Sequence, residues 1–86
     1  MNWRVGFSTR AEKFLDRNNL PREEVFELVR DVLKKFRGEG INIDIRKLKG
    51  KWEGFHRIRK GELRIIAGFD FNNLSVFIEV IDWRGG

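Results

Sequence analysis

Eighty-six residues suffice for one hydrophobic core and give no sign of a second. The absence of cysteine excludes disulfides and thiolate metal sites, and no apolar run approaches the length of a membrane span. The formal charge of +5 is concentrated in one stretch. There Arg46, Lys47, Lys49, Lys51, Arg57, Arg59, Lys60 and Arg64 stand with His56 against only Glu53 and Glu62. Such a patch fits a polyanion, nucleic acid above all, or else a solvated sheet face. The start, Met1-Asn2-Trp3-Arg4, lacks the apolar run of a signal peptide. One cytoplasmic domain over residues 1–86 is therefore expected.

Trp3, Val5 and Phe7 alternate with polar or small neighbours, which predicts a half-buried strand. Thr9-Arg10-Ala11-Glu12 reads as a capping box that opens a short helix ending near Asn18-Asn19. Pro21 marks the start of a second helix, with Glu23 and Glu24 in its first turn and Lys34, Lys35 and Arg37 in its last. Val25, Phe26, Leu28, Val29, Val32, Leu33 and Phe36 recur at helical spacing, so this helix must cover a sheet. Gly38 and Gly40 end it.

A basic connection, Ile45 to Trp52, leads to strands over Phe55–Arg59 and Glu62–Phe71, with Lys60-Gly61 as the tight turn. Asn72-Asn73 turns the chain again, and Ser75–Asp82 forms the last strand, followed by Trp83-Arg84-Gly85-Gly86. The order β-α-α-β-β-β predicts an α+β fold: an antiparallel sheet with a helical hairpin on one face.

Strand alternation puts Arg57 and Arg59 on one face and His56 and Ile58 on the other. Arg64, beyond the turn, can face back toward the pair. Converging guanidiniums would clamp a phosphate or stabilise a pentavalent phosphorane. Alternatively they are surface arginines paired with Glu53, Glu62 and Glu79. His56, the only imidazole, is expected on the core side, and Phe69, Phe71 and Phe77 are expected in the core. Trp83 and Trp52 have the chemistry to stack on bases, although Trp52 could equally cap the core edge.

Lys47-Leu48-Lys49-Gly50 followed by Gly54-Phe55-His56-Arg57-Ile58-Arg59-Lys60-Gly61-Glu62-Leu63-Arg64-Ile65-Ile66 resembles the hallmark of the RelE/ParE toxin superfamily. Val76 to Arg84 is similar to that family's last strand. The resemblance implies a microbial-ribonuclease-like fold and the toxin of a toxin–antitoxin pair, cutting mRNA on the ribosome without a cofactor. It implies catalytic roles for Arg57, Arg59, Arg64 and Arg84. Lys47, Lys49 and Lys51 would contact ribosomal RNA, with Trp83 as a further RNA contact. The implied partners are a cognate antitoxin with an acidic or amphipathic segment, the ribosome and mRNA. Two features depart from the family pattern. No Tyr or His follows Arg84, and Arg46 stands where some relatives carry a carboxylate, so a general base is not evident. A gyrase-inhibiting, ParE-like toxin and a non-cleaving relative are therefore alternative expectations.

Overall fold

The computed structural model describes residues 2–84. The first strand, β1 (Arg4–Phe7), runs into α1 (Thr9–Arg17) and α2 (Arg22–Phe36). The remaining strands are β2 (Asp44–Lys47), β3 (Phe55–Lys60), β4 (Leu63–Asp70) and β5 (Ser75–Trp83), with a 3-10 turn at Gly50–Trp52. The fold is α+β, as the chain order implied. Two features of the sheet's strand pairing differ from the sequence reading.

The first is an extra strand. The basic connection contains β2, which pairs antiparallel with β3 through Ile45↔Ile58 and Arg46↔Arg57. Ile45 alone faces the core from this strand, so periodicity offered almost nothing to read. The second is the sheet's character. It is mixed, in the order β1-β5-β4-β3-β2, with β1 parallel to β5. Short turns fix the antiparallel neighbours that they join. The β1–β5 pairing is non-local, so no turn announces it; Arg4 and Ser8 donate their amides to the Leu74 and Ile78 carbonyls, both at 2.9 Å.

Both helices begin one residue from where the sequence placed them. Ser8, not Thr9, caps α1: its hydroxyl accepts the Ala11 amide at 3.1 Å. Thr9 is already helical. Pro21 is the N-cap of α2 rather than its first helical residue. The β3–β4 hairpin is joined by Gly61-Glu62, since Lys60 pairs with Leu63. Gly61 holds a φ of 59°, which only glycine adopts at no steric cost.

α1 contributes Ala11 and Leu15 to the core, and α2 contributes Val25, Leu28, Val29, Val32 and Leu33. They close over Ile58, Ile65, Ala67, Val76, Ile78 and Ile81 of the sheet. Fully burying each larger aliphatic contributes about 1.5–3 kcal/mol. Of the three phenylalanines expected inside, only Phe69 packs on this core. Phe71 is exposed in the β4–β5 turn, and Phe77 is exposed on the far face of β5. That far face carries no helix. The tail at Gly85-Gly86 lies outside the described residues. Among those described, no helix is long and apolar enough to cross a membrane.

Candidate nucleic-acid interface

Antiparallel partners point to the same side of a sheet, so the register fixes the membership of the open face. Arg59 lies opposite both Asp44 and Arg64, Arg57 lies opposite Arg46, and Arg64 lies opposite Asp82. Arg84 follows Asp82 by two residues on the same side. Its amide bonds to the Glu62 carbonyl at 2.7 Å, and its guanidinium reaches the Gly61 carbonyl at 3.4 Å. The sheet thus gathers Arg57, Arg59, Arg64 and Arg84 on the side away from the helices.

Two of these guanidiniums are oriented by carboxylates. Asp82 receives Arg64 in a two-pronged bond, Nε at 2.8 Å and Nη2 at 2.6 Å. This contact raises the Arg64 pKa further above its ordinary value. Arg57 Nη2 donates to Asp44 Oδ2 at 3.0 Å, with the arginine side chain only 12% exposed. The sequence reading considered Glu53, Glu62 and Glu79 as partners for these arginines. The actual partners are Asp44 and Asp82. Asp44 lies two residues before Arg46 and on the same face, opposite Arg59.

Arg59 differs from its neighbours. Among the described residues it has no ion pair, and its Nε, like that of Arg57, is enclosed without a protein acceptor. Desolvation holds its pKa below the ordinary value, as do Arg57, Arg84 and Arg64, while Asp44 opposes the shift. The arginine remains charged, because its ordinary value lies so far above neutrality. Enclosed donors and crowded like charges make this spot favourable for an anion.

A β-bulge adds a second feature. The β4–β5 register slips between Ile66 and Ala67, leaving Glu79 without a partner across the ladder. The freed Glu79 carbonyl accepts the Ser8 hydroxyl at 2.6 Å and Arg10 Nε at 3.2 Å. The Glu79 carboxylate lies 3.9 Å from Arg10, a looser contact than those of Asp44 and Asp82. Arg10 in turn stands over Trp52, which meets Phe55 edge-on. The sequence reading gave Arg10 only a place in the capping box and did not name Asp44 or the bulge.

The remaining residues predicted for the site are distributed differently. Trp83 lies on the helix-covered side, 5.3 Å from Phe14, with its indole N–H donating to Asn18 Oδ1 at 3.2 Å. It does not join the arginine cluster. Lys47 and Lys49 line a cavity of about 420 Å³ with Leu48, Glu53, Phe55 and His56. Lys51 is exposed in the 3-10 turn beside them. His56 faces the helices, with Phe36 at 5.3 Å and Phe69 at 5.7 Å. Burial first, and then the Lys47 charge, lower its pKa. A neutral imidazole wedged between phenylalanines on the covered side matches the core-side expectation.

No known family profile matches the chain, and no curated protein matches it significantly. Solved structures do. The archaeal RelE–RelB complex from Pyrococcus horikoshii contains a chain 27% identical, with 99% of this chain and 98% of that one superposed at a TM-score of 0.64. The fold of this chain is RelE-like. The RelE-like chain also resembles the RelBE2 toxin–antitoxin complex from Mycobacterium tuberculosis, at 23% identity, 98% and 100% coverage and a TM-score of 0.61. The YoeB–YefM complex from Staphylococcus aureus superposes at 0.63 with 20% identity, covering 98% and 99%. These last two likenesses establish the shared fold. It therefore extends over essentially the entire RelE-like chain, open arginine face included.

Proposed function

We propose that this chain is the toxin of a toxin–antitoxin pair and cuts mRNA on the ribosome, with the open face holding the RNA backbone. The observation that carries this reading is the gathering of Arg57, Arg59, Arg64 and Arg84 on the uncovered side, with enclosed Arg57 and Arg59 donors lacking protein acceptors. The likeness to toxins of the RelE and YoeB type supports it. In cleavage, a ribose 2′-hydroxyl loses its proton and attacks the adjacent phosphorus, the bond from phosphorus to the 5′-oxygen of the next nucleotide breaks, and that oxygen takes up a proton, leaving a 2′,3′-cyclic phosphate and a 5′-hydroxyl. Arg59 and Arg64 would stabilise the charge that builds on the phosphorane, because preorganised donors act most strongly where charge develops. Asp82 and Asp44 hold the guanidiniums of Arg64 and Arg57 in fixed orientations. Both Asp82 oxygens are engaged by Arg64, which assigns this carboxylate to orienting the guanidinium. Lys47, Lys49 and Lys51 would position the protein on ribosomal RNA without taking part in the chemistry.

The partner is a cognate antitoxin, as in the RelE–RelB and YoeB–YefM complexes. An acidic, amphipathic segment suits this chain: Trp3, Phe36 and Phe71 form an aromatic cluster near Arg30, Lys34 and Arg37.

The deciding experiment maps mRNA breaks on translating ribosomes with purified protein, comparing wild type with Arg64→Ala. Wild type should produce discrete cuts. Loss of one such donor should slow cleavage by about 10²–10³ while the fold persists. An uncut message with wild type, or full activity in Arg64→Ala, would refute the proposal. Supercoiling inhibition without cleavage would point instead to gyrase as the target.

A further inference from the structure

Three aromatic side chains on the open face contribute nothing to the core. Trp52, Phe55 and Phe77 are absent from the residues that pack against the buried cluster. Two of them occupy room left by glycines. A Cβ at Gly68 would come within 3.3 Å of the Phe55 ring, and one at Gly6 within 3.3 Å of Phe77. Burying apolar surface is the usual reason for a tryptophan in a small protein. Trp52 lies instead on the side away from the helices, with Phe55 edge-on at 5.5 Å.

Arg10 faces this indole from the first turn of α1, its guanidinium carbon 5.8 Å from the ring centroid. Direct contact between stacked groups is closer, at about 3.5–4.0 Å. A flat ring inserted between them would need two such spacings, about 7 Å, so Arg10 would have to move outward by roughly an ångström. Its side chain is 61% exposed, which leaves room for that shift at the expense of its 3.2 Å bond to the Glu79 carbonyl. Its anchors, the carbonyl and the carboxylate of Glu79, belong to the bulge, so the strand irregularity is what brings Arg10 to the indole. Phe55 stands two residues before Arg57 on β3, about 7 Å along the strand. One extended nucleotide bridges such a span.

We propose that Trp52, Arg10 and Phe55 form a nucleobase pocket beside the arginine cluster. There the indole and the guanidinium sandwich one base of single-stranded RNA, while Arg57 and Arg59 hold the neighbouring phosphate. The proposal rests on the RNA reading above and adds to it a base-binding subsite. Every base has a π-face, so the pocket tolerates sequence variation and contributes affinity and register more than base identity.

The test uses uridine octamers carrying one 2-aminopurine, placed at each position in turn, titrated with intact protein at low salt, where phosphate contacts are strongest. Stacking on the indole should quench the fluorescence at one position and leave the ends bright. Trp52→Ala should abolish that quench and weaken binding roughly 5- to 150-fold, the range for one stacked base, with an unchanged salt slope. Trp52→Phe should recover part of both. Because Trp52 is half-buried, Arg10→Ala serves as the variant whose exposed side chain leaves folding intact; it should reduce the quench and the affinity in the same direction. Arg64→Ala should do the reverse, lowering the salt slope by about one while keeping the quench. If Trp52→Ala and Arg10→Ala bind and quench like wild type, the pocket is refuted while the RNA reading stands. If no octamer binds even at low salt, both fall.

Discussion

The two faces of the sheet are built from the same strands and behave as different materials. On the helix-covered side Ile58, Ile65, Ala67, Ile78 and Ile81 are buried to within a few per cent. One residue away in each direction, Arg57, Arg59, Arg64 and Asp82 face the open side. Alternation therefore divides a nine-residue strand such as β5 between the core and the open face without any change of element. It also overrides chemical attractiveness: His56 and Trp83 lie on the covered side and take structural partners, Phe36 and Phe69 for one, Phe14 and Asn18 for the other.

The sharpest way to break this comparison is to exchange adjacent positions. Ile65→Ala should cost about 2–5 kcal/mol in a denaturant titration, the range for truncating a large aliphatic in a closed core. Arg64→Ala, one residue earlier, should leave the unfolding midpoint nearly unchanged. Equal losses in the two variants would mean that the open face also holds the fold together.

A smaller effect sharpens the boundary where the faces meet. The Ser8 hydroxyl both caps α1 and bonds the bulged Glu79 carbonyl. Ser8→Ala should therefore destabilise by about 0.5–2 kcal/mol, toward the upper end because two partners are lost at once. Thr9→Ala, which the sequence pattern favoured as the cap, should change stability by only a few tenths of a kcal/mol, within the usual range for exposed positions. Thermal melts of the two variants distinguish these outcomes. A larger loss in Thr9→Ala would return the cap to Thr9.

These two residues show what was readable and what was not. The helices, the hairpin at Gly61 and the side chosen by Arg57, Arg59 and His56 follow from periodicity and turn chemistry, which are local. The open face beyond the four arginines depends on non-local events: the slip in register at Glu79, the parallel pairing of β1 with β5, and a four-residue strand whose only core residue is Ile45. Arg10 is exposed on a helix and carries no local sign of its contacts with Glu79 and Trp52, because the bulge that it bonds exists only once β4 and β5 have paired. Trp52 and Trp83 look equivalent as letters and are separated only by the three-dimensional path of the chain.

The smallest effect concerns the covered face in acid. The folded His56 pKa is lowered by burial and by Lys47, so the unfolded chain binds the proton more readily. Its contribution to stability is complete above the unfolded value, about 6.5. It is lost as the pH falls from there toward the lower folded value. His56→Phe should flatten this part of the stability–pH curve, measured by urea unfolding between pH 5 and pH 8. An unchanged slope would show that the imidazole is solvated in both states.

The parallel pairing of β1 with β5 has a consequence in time. Arg4 lies opposite Ser75, so the first strand cannot find its neighbour until synthesis has passed β5. The same last strand brings Asp82, which fixes Arg64, and leads directly into Arg84. An unfinished chain consequently has a helical hairpin and an incomplete sheet, but not the assembled arginine face. Synthesis order itself therefore makes this face the last part of the sheet to be completed.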